Sequence, residues 1–470
     1  MAERSQRASS GCVLQLYRTC GVVNGDGVSE SSQLKGGLSI VDVVSIGVGS
    51  AVGVSIFSIM APAAKVAGSG VLVALGLAAI PMVIFAVVYA FMGSTVPKSG
   101  ASFEWPARFI HPFAGFVVAW LRIIGNTGAL TVLTLVLVSY ASRAVPLPQK
   151  TSMFVVLLLF FVANLIGVTV AAGVERVLVV FKLVAFAIFV AVGIPAVSAA
   201  NFSPVTGVGW SGVFAALPLL VSLYMGIESA VEVGEEIRNS AAVIAKGLAA
   251  AVITTIIVYV AVSSVALGVL GAPALGASNT PLFDAGERFL GRWNSPLIIV
   301  AAVAAIGTSL NAIYMTFTRF LFAMGRDGVF PETFARVHPK WGTPHVAVIA
   351  VFLLGCVGLL LPSSLVFLFL AVTIPTLLKY LSNCWSAIRL VNDHPELHQR
   401  AKFALSAGAV RAWAWAGIVA VIVLLVAGVT ADWRPYAILG GWFIVGVGYW
   451  LVRGQYASRG MQSLRAGAGS

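Results

Sequence analysis

The sequence predicts an all-α integral membrane protein with about twelve transmembrane helices. Of its 470 residues, 59% are hydrophobic and only 10% are charged, and the mean hydropathy is +0.98. Apolar runs of about 20 residues recur along the chain, and each is long enough to cross a bilayer core about 30 Å thick. Because lipid offers the backbone no hydrogen-bond partners, these runs must be helices. A soluble protein of this size would carry more charged surface.

The predicted spans follow one another closely, and each ends at polar, glycine or proline residues. The longest polar segments between them are two cytoplasmic loops, 324–343 and 390–411, and one external loop, 272–293. In chain order the spans cover residues 38–62, 69–93, 112–142, 152–171, 174–199, 211–236, 242–271, 294–323, 345–361, 364–389, 412–431 and 435–452.

Basic residues are distributed unevenly across the membrane. The formal net charge is +12, and with a cytoplasmic N-terminus most of the 29 Lys and Arg residues lie on cytoplasmic segments. This positive-inside pattern predicts that both termini are cytoplasmic. The charge therefore indicates topology, and no nucleic-acid partner is expected. The Ala-, Val- and Gly-rich composition is typical of a GC-rich bacterium, so the expected location is the bacterial inner membrane.

Two of the spans contain residues that weaken a helix. The first includes IGVGSAVGVSIFSI (46–59), although each glycine inside a helix costs about 1 kcal/mol relative to alanine. The sixth, PLLVSLYMGIESAVEVGEE (218–236), is interrupted by Pro218, Gly226 and Glu228. Interrupted spans at corresponding positions of two halves are typical of inverted-repeat transporters. The alternative is that the glycines only allow neighbouring helices to pack closely.

A break in a membrane helix has a chemical consequence. It exposes backbone groups that lipid cannot satisfy but that a cavity or a substrate can. The N-terminal end of a helix is partly positive and the C-terminal end partly negative. Two broken helices facing each other therefore suit a zwitterion such as an amino acid.

The two interrupted spans divide the chain into repeats. We expect a disordered cytoplasmic tail over 1–36, a five-helix repeat over 37–199, and a second over 200–389. Two further helices follow in 390–452, and residues 453–470 form a cytoplasmic tail.

Three stretches resemble one transporter family. VGSAVGVSIFSI (48–59) resembles the first-helix signature of the amino acid–polyamine–organocation (APC) permeases. YMGIESAVEVGEEIRNSAAVIAKG (224–247) is similar to their sixth helix and the following loop. LNAIYMTFTRFLFAMGRDGVFPETFARVHPKWGTPHVAV (310–348) is similar to their eighth helix and the loop to the ninth, and SGASFEWPARFIHPFAGFVVAW (99–120) more weakly to the start of the third. With the span count, the resemblance covers residues 38–452.

The resemblance implies a leucine-transporter-type fold with five-plus-five inverted repeats, and a substrate held at mid-membrane between helices one and six. Six backbone groups would then contact the substrate. The amides of Gly53, Val54 and Ser55 would face its carboxylate, and the carbonyls of Ala51, Ser222 and Met225 its amino group.

This chain departs from the family pattern around that site. Ser55 stands where the last glycine of the signature is usual, and Ser222 where relatives commonly have an aromatic lid. We expect Tyr224 to take the role of the lid. Ile313, one helical turn beyond Ser309, is expected to line the substrate cavity.

Lys182 lies well inside the fifth predicted span, where a charged side chain costs about 2.5–3.5 kcal/mol. Proton-coupled relatives carry a Lys at the matching place. The resemblance implies an ammonium near the carbonyls of Gly49 and Val52, in place of a sodium ion. The alternatives are a purely structural cation, or sodium coupling through the hydroxyls of Thr308 and Ser309.

Glu228, Arg122 and Lys379 also lie inside predicted spans. Glu228 follows the break in the sixth span, and in polyamine and arginine exchangers of the family the matching Glu is linked to proton or substrate handling. The alternative is that Glu228 makes a structural hydrogen bond. An unpaired buried Glu228 would tend to stay protonated. Arg122 and Lys379 match no family role, and each is expected to pair with a carbonyl, a carboxylate or a lipid headgroup.

These features predict a permease for L-amino acids or related amines, coupled to protons and working by alternating access. The alternatives are an amino acid/polyamine antiporter, a sodium-coupled symporter, and a nutrient sensor built on the same fold. An enzyme is disfavoured because the five histidines lie in loops or at span ends and no metal or nucleophile motif occurs. The expected partners are a small-molecule substrate, a proton and the lipid bilayer. No cofactor or metal is expected, and the chain is expected to be a monomer or a homodimer.

Overall fold

The computed structural model describes residues 39–97, 101–166, 172–232, 237, 240–326, 329–339 and 343–466. The predicted N-terminal tail, 1–36, lies outside these residues. The described chain folds into helices joined by loops. In chain order the α-helices are α1 (Ile40–Ala51), α2 (Val54–Ser58), α3 (Met60–Ala67), α4 (Val71–Thr95), α5 (Ala101–Phe109), α6 (Pro112–Ala141), α7 (Gln149–Ile166), α8 (Ala172–Gly193), α9 (Trp210–Tyr224), α10 (Ser229–Glu232), α11 (Ser240–Leu270), α12 (Ala272–Ala277), α13 (Pro281–Gly286), α14 (Val300–Arg326), α15 (His345–Gly358), α16 (Leu365–Asp393), α17 (Pro395–Gln399), α18 (Ala407–Ala431) and α19 (Arg434–Ala466).

Every predicted span contains at least one of these helices. By length and composition, ten helical segments in the described residues can cross a membrane. The helices in the sixth and ninth predicted spans, α9 and α15, are apolar but shorter than that length. The protein is therefore an all-helical membrane protein with ten candidate membrane helices in its described part.

Two of the predicted regions differ from the structure. The last helix, α19, continues to Ala466 and does not end at residue 452. The predicted external loop 272–293 contains the short helices α12 and α13, each of which begins with a proline in its first turn. Proline is favourable there because its missing N–H is one that the first turn leaves without a partner.

The first helix begins at a capping box. The Ser39 hydroxyl accepts from the Asp42 amide at 3.4 Å, and the Asp42 carboxylate accepts from the Ser39 amide at 2.9 Å. These contacts satisfy two donors that a helix N-terminus otherwise leaves exposed. Asp42 thus has a structural role in starting α1.

Packing separates helices of the protein interior from helices at its surface. In the apolar stretch of α6, 78% of the residues are buried, and α6 packs against α14 and α16. The buried share is only 11% in α7 and 17% in Arg434–Val452 of α19. Helix α11 packs against both α1 and α4, and α9 packs against α4. The exposed side chains of α7 and α19 are largely apolar, as lipid contact requires. The interrupted helices α1 and α9 therefore lie among interior helices.

Candidate functional site

The first predicted span is interrupted as the sequence predicts. Helix α1 ends at Ala51, Val52 and Gly53 leave helical geometry, and α2 begins at Val54. The Gly53 amide donates to the Ala51 carbonyl at 2.8 Å in a tight turn. This corrects the expectation that the Gly53 amide faces the substrate, because the turn already uses it. The amides of Val54 and Ser55 open α2, where helix geometry provides no intrahelical acceptor.

The sixth predicted span is interrupted as well. Helix α9 ends at Tyr224, Met225 is extended with φ −67° and ψ 139°, and α10 begins only at Ser229. Gly226 has φ 106°, a conformation that side chains rarely allow. A Cβ at Gly226 would also lie 3.1 Å from the carbonyl oxygen of Ser50. The second break therefore packs directly on the end of the first helix.

Hydroxyl groups join the two breaks. The Ser55 hydroxyl donates to the Ser222 carbonyl at 3.5 Å. The Tyr259 hydroxyl lies 2.5 Å from the Ala51 carbonyl and 2.8 Å from the Leu223 carbonyl. A carbonyl oxygen can accept two hydrogen bonds. The Ser222 oxygen keeps one position, whereas the Ala51 oxygen accepts from both Tyr259 and the Gly53 amide and has no position left. The structure thus brings the predicted binding groups of both helices together.

Sequence reasoning missed Tyr259. It is fully buried in α11, and its hydroxyl lies between a carbonyl of each broken helix. The available signal was a tyrosine in the middle of an apolar span, since a buried tyrosine hydroxyl usually needs a partner. The sequence does not show which partner.

The structure does not support Tyr224 as a lid. Its side chain is fully buried, its hydroxyl donates to the Leu75 carbonyl at 3.3 Å, and its ring packs edge-on against Tyr259. Two residues along a helix turn the direction of the side chain by about 200°, so Tyr224 points away from the side of Ser222. Ile313 is half-buried and packs on the apolar core, one turn beyond Ser309.

Lys182 reaches the first break. Its ammonium lies 3.3 Å from the Gly49 carbonyl and 3.1 Å from the Val52 carbonyl, and its exposed fraction is only 2%. Both carbonyls belong to the C-terminal end of α1, where the last carbonyls of a helix lack intrahelical donors. A cation is favourable at this partly negative end. The contact expected from the resemblance is present.

The hydroxyls of Thr308 and Ser309 bond within their own helix. Thr308 donates to the carbonyls of Ala304 and Ala305, both at 2.9 Å, and Ser309 donates to Ala305 at 3.0 Å. This is the usual arrangement for hydroxyls inside helices. Ser309 nevertheless touches the first break, because a Cβ on Gly53 would overlap its hydroxyl.

Glu228 and Lys379 form a buried ion pair. Glu228 Oε1 lies 2.7 Å from Lys379 Nζ. The exposed fraction is 8% for Glu228 and 7% for Lys379. The second carboxylate oxygen of Glu228 accepts from the Gly226 amide at 2.9 Å. The structure therefore pairs Glu228 and gives Lys379 a carboxylate partner. Arg122 is half-buried on α6.

A small cavity adjoins this ion pair. Its volume of about 10 Å³ is enough for roughly one water molecule. Side chains of α4, α11 and α16 line it, together with Ile227 and Glu228 of the second break. Among the described residues, no group of three or more His, Cys, Asp or Glu side chains could hold a metal ion.

Comparisons with known proteins agree with this architecture. The model of the amino acid permease family matches residues 38–444. The branched-chain amino acid permease BcaP of Bacillus subtilis (strain 168) is 26% identical over 344 residues, covering 68% of this chain and 73% of that protein. An uncharacterised transporter of Mycobacterium bovis is 31% identical over 323 residues, covering 68% of this chain and 72% of that protein. A methylthioribose transporter of Bacillus subtilis is 26% identical over 392 residues, covering 78% and 84%.

The family match spans most of the chain, and the relatives are transporters and not enzymes. The helices long enough to cross a membrane, and the two interrupted helices that meet among them, fit that role. The chain therefore belongs to the amino acid permease family, and is a multi-pass membrane transporter.

Proposed function

We propose that this protein carries an L-amino acid or a related amine across the bacterial inner membrane by alternating access, coupled to protons. The observation that carries the proposal is the position of Lys182, whose buried ammonium contacts the Gly49 and Val52 carbonyls beside the first break. We further propose the five-plus-five repeat with twelve membrane helices, cytoplasmic termini, and a monomer or homodimer.

The substrate site lies between the two breaks. The substrate carboxylate would bind the amides of Val54 and Ser55 at the start of α2, where a helix N-terminus favours an anion. The amino group would bind the carbonyls of Ser222 and Met225, and it could bind the Ala51 carbonyl only in place of Tyr259 or the Gly53 amide. The Met225 carbonyl is favourable because Met225 has left helical geometry. This division uses both ends of the broken helices.

Lys182 would couple protons through its hold on α1. The protonated amine offers three donors and a positive charge to the end of the helix. Loss of the proton removes the charge and one donor, so that the end of α1 is held less firmly. Protonation would thereby bias the break toward one of the two access states.

The proton-coupling proposal is tested by transport into proteoliposomes. Wild-type protein should accumulate its substrate when the pH gradient is inward. Lys182→Ala should retain exchange of internal for external substrate but lose accumulation driven by the pH gradient. Lys150→Ala is the matched control, because Lys150 is exposed at the start of α7. Unchanged accumulation in Lys182→Ala would remove this residue from the coupling mechanism.

A sodium-coupled symporter is the second candidate. The Ser309 hydroxyl favours it, because it lies against Gly53 at the first break. In the same vesicles, an inward sodium gradient with equal pH on both sides of the membrane distinguishes sodium coupling from proton coupling. Uptake driven only by sodium would contradict the role of Lys182. Vesicles preloaded with amino acids or polyamines test the antiporter alternative, and a thermal-shift screen over both classes identifies the substrate.

A further inference from the structure

Three charged side chains are buried among those whose burial the structure describes. They are Lys182, Glu228 and Lys379, with exposed fractions of 2%, 8% and 7%. All three adjoin the two breaks: Lys182 holds the end of α1, and the other two form an ion pair at the second break. The region around the proposed substrate site therefore contains two buried positive charges and one negative charge.

We propose that Lys379 determines charge selectivity: by neutralising Glu228, it excludes substrates that carry an additional positive charge. The transported molecule would then be an amino acid with a neutral side chain, and lysine, arginine and polyamines would be rejected. This inference rests on the proposed function, since it concerns a substrate bound between the breaks.

Glu228 is the group that would attract a cationic substrate, and each of its oxygens already accepts a hydrogen bond. One accepts from Lys379 at 2.7 Å, and the other from the Gly226 amide at 2.9 Å. Gly226 itself packs against Ser50 near the end of α1. The ion pair is thus held next to the breaks by the backbone of the second break itself.

Lys379 is held firmly in this position. Its ammonium also lies 4.9 Å from the centre of the Tyr380 ring, a distance at which the face of an aromatic ring attracts a cation. A buried charge that keeps its partner is far less costly than one that loses it. A cationic side chain that bound Glu228 would therefore either displace Lys379, leaving its ammonium unpaired, or lie beside it as a second buried positive charge.

Electrostatic repulsion acts in the same direction. Charges interact strongly at low effective dielectric, and Lys182 already contributes an ammonium at the first break. A zwitterion with a neutral side chain adds no net charge, whereas lysine adds one. Building repulsion against the wrong ligand is a common source of specificity.

Two substitutions isolate the charge of Lys379. Lys379→Met keeps an unbranched apolar side chain without the ammonium, and Lys379→Gln also keeps a hydrogen-bond donor for Glu228. Each leaves Glu228 without its cation. The double variant Glu228→Gln with Lys379→Met removes both charges and restores the net charge of the wild type. It is the matched control.

The experiment measures uptake of labelled L-norleucine and L-lysine into proteoliposomes containing the full chain. The two molecules differ chiefly in the terminal ammonium. For the wild type we expect L-lysine to be taken up at least about tenfold less well than L-norleucine. In Lys379→Met or Lys379→Gln the ratio should shift toward L-lysine by about tenfold, and the double variant should return to the wild-type ratio.

The outcomes separate this inference from the proposed function. If the wild type takes up no neutral amino acid of a panel that includes L-norleucine and L-alanine, the proposed function fails. If neutral uptake is present but L-lysine is carried equally well, only the selectivity proposal fails. An unchanged ratio in a Lys379 variant that elutes as folded protein overturns it too. Recovery of both single variants only as aggregate assigns the ion pair to folding and also overturns it.

Discussion

Tyr259 shows how one side chain can join two interrupted helices. Its hydroxyl lies between the Ala51 carbonyl at the end of α1 and the Leu223 carbonyl near the end of α9. Helix ends leave carbonyls without donors, and a buried carbonyl without a partner is costly. A tyrosine on a third helix places its single hydroxyl donor between the two carbonyls. The relative position of the two breaks therefore depends on α11.

We predict that Tyr259→Phe lowers both stability and transport. Removing the hydroxyl takes a donor from the Leu223 carbonyl and leaves the Ala51 carbonyl with the Gly53 amide alone, at a cost of about 1–3 kcal/mol. Tyr314→Phe is the matched control, because Tyr314 is equally buried and its hydroxyl donates to the Val348 carbonyl at 3.1 Å. Both variants should melt at lower temperature, but only Tyr259→Phe should lose substrate affinity. Equal affinity in the two variants would contradict a role at the site.

At the scale of elements, the two breaks need glycine for different reasons. Gly226 combines φ 106° with a close contact to the Ser50 carbonyl. At Gly53 the constraint is the neighbouring Ser309 hydroxyl on α14. One glycine is therefore required by the backbone conformation, and the other by the approach of a side chain.

This difference predicts which glycine variant can be rescued. Gly53→Ala should lose most transport, and Ser309→Gly in the same chain should restore part of it by making room. Gly226→Ala should cost about 1–3 kcal/mol of stability, since the strain lies in its own backbone. Gly76→Ala is the control, because a Cβ there would meet no atom within 4 Å beyond its own helix. Thermal melting and uptake measure both effects, and no gain from Ser309→Gly would argue against the Gly53 contact.

The segment around α13 depends on one carboxylate. Asp284 accepts from the Arg143 guanidinium at 2.5 Å and from the hydroxyls of Ser278 and Thr280 at 2.5 Å and 3.2 Å. Glu287 lies farther from Arg143, at 3.6 Å, and is about half exposed. Exposed ion pairs add little to stability, whereas a carboxylate that accepts several hydrogen bonds adds more.

We predict that Asp284→Ala loosens this segment and that Glu287→Ala does not. Losing the hydrogen bonds to this charged group should lower the local stability by about 1.5 kcal/mol. Amide exchange in residues 278–287 should then be about tenfold faster. Hydrogen–deuterium exchange with mass spectrometry measures it. Equal exchange rates in the two variants would show that the bonds of Asp284 do not order the segment.

At the scale of the whole molecule, the charge distribution predicts its orientation. The positive-inside pattern places Lys150 outside and Arg400 in the cytoplasm. Both residues are exposed. In intact cells, Lys150→Cys should react with a maleimide that cannot cross the membrane, and Arg400→Cys should react only after permeabilisation. The reverse pattern of labelling would invert the topology.

Some features of the site could be predicted from local sequence. Glycines and serines inside an apolar run indicate a break wherever the helix lies, because their cost to a helix is intrinsic. The positions of both breaks therefore match the sequence prediction. The contact between Lys182 and the end of α1 came from resemblance to a family and not from the residues alone.

Other features had no local signal. Glu228 and Lys379 are 151 residues apart, and Tyr259 and Ala51 are 208 residues apart. Hydropathy shows that a charged residue lies in an apolar segment, where it needs a partner. It does not show which residue that partner is. Tyr224 illustrates the same limit, because the direction of its ring depends on packing against Tyr259 and the Leu75 carbonyl.

Hydropathy and helix propensity act over a few neighbouring residues, so the amino-acid sequence is enough to predict a helical membrane protein with two interrupted helices. Which buried charges pair, and which hydroxyl joins the breaks, is known only from the folded chain. Those contacts link distant parts of the chain, and in a medium without water each buried polar group must find its partner among whatever side chains the packing brings close.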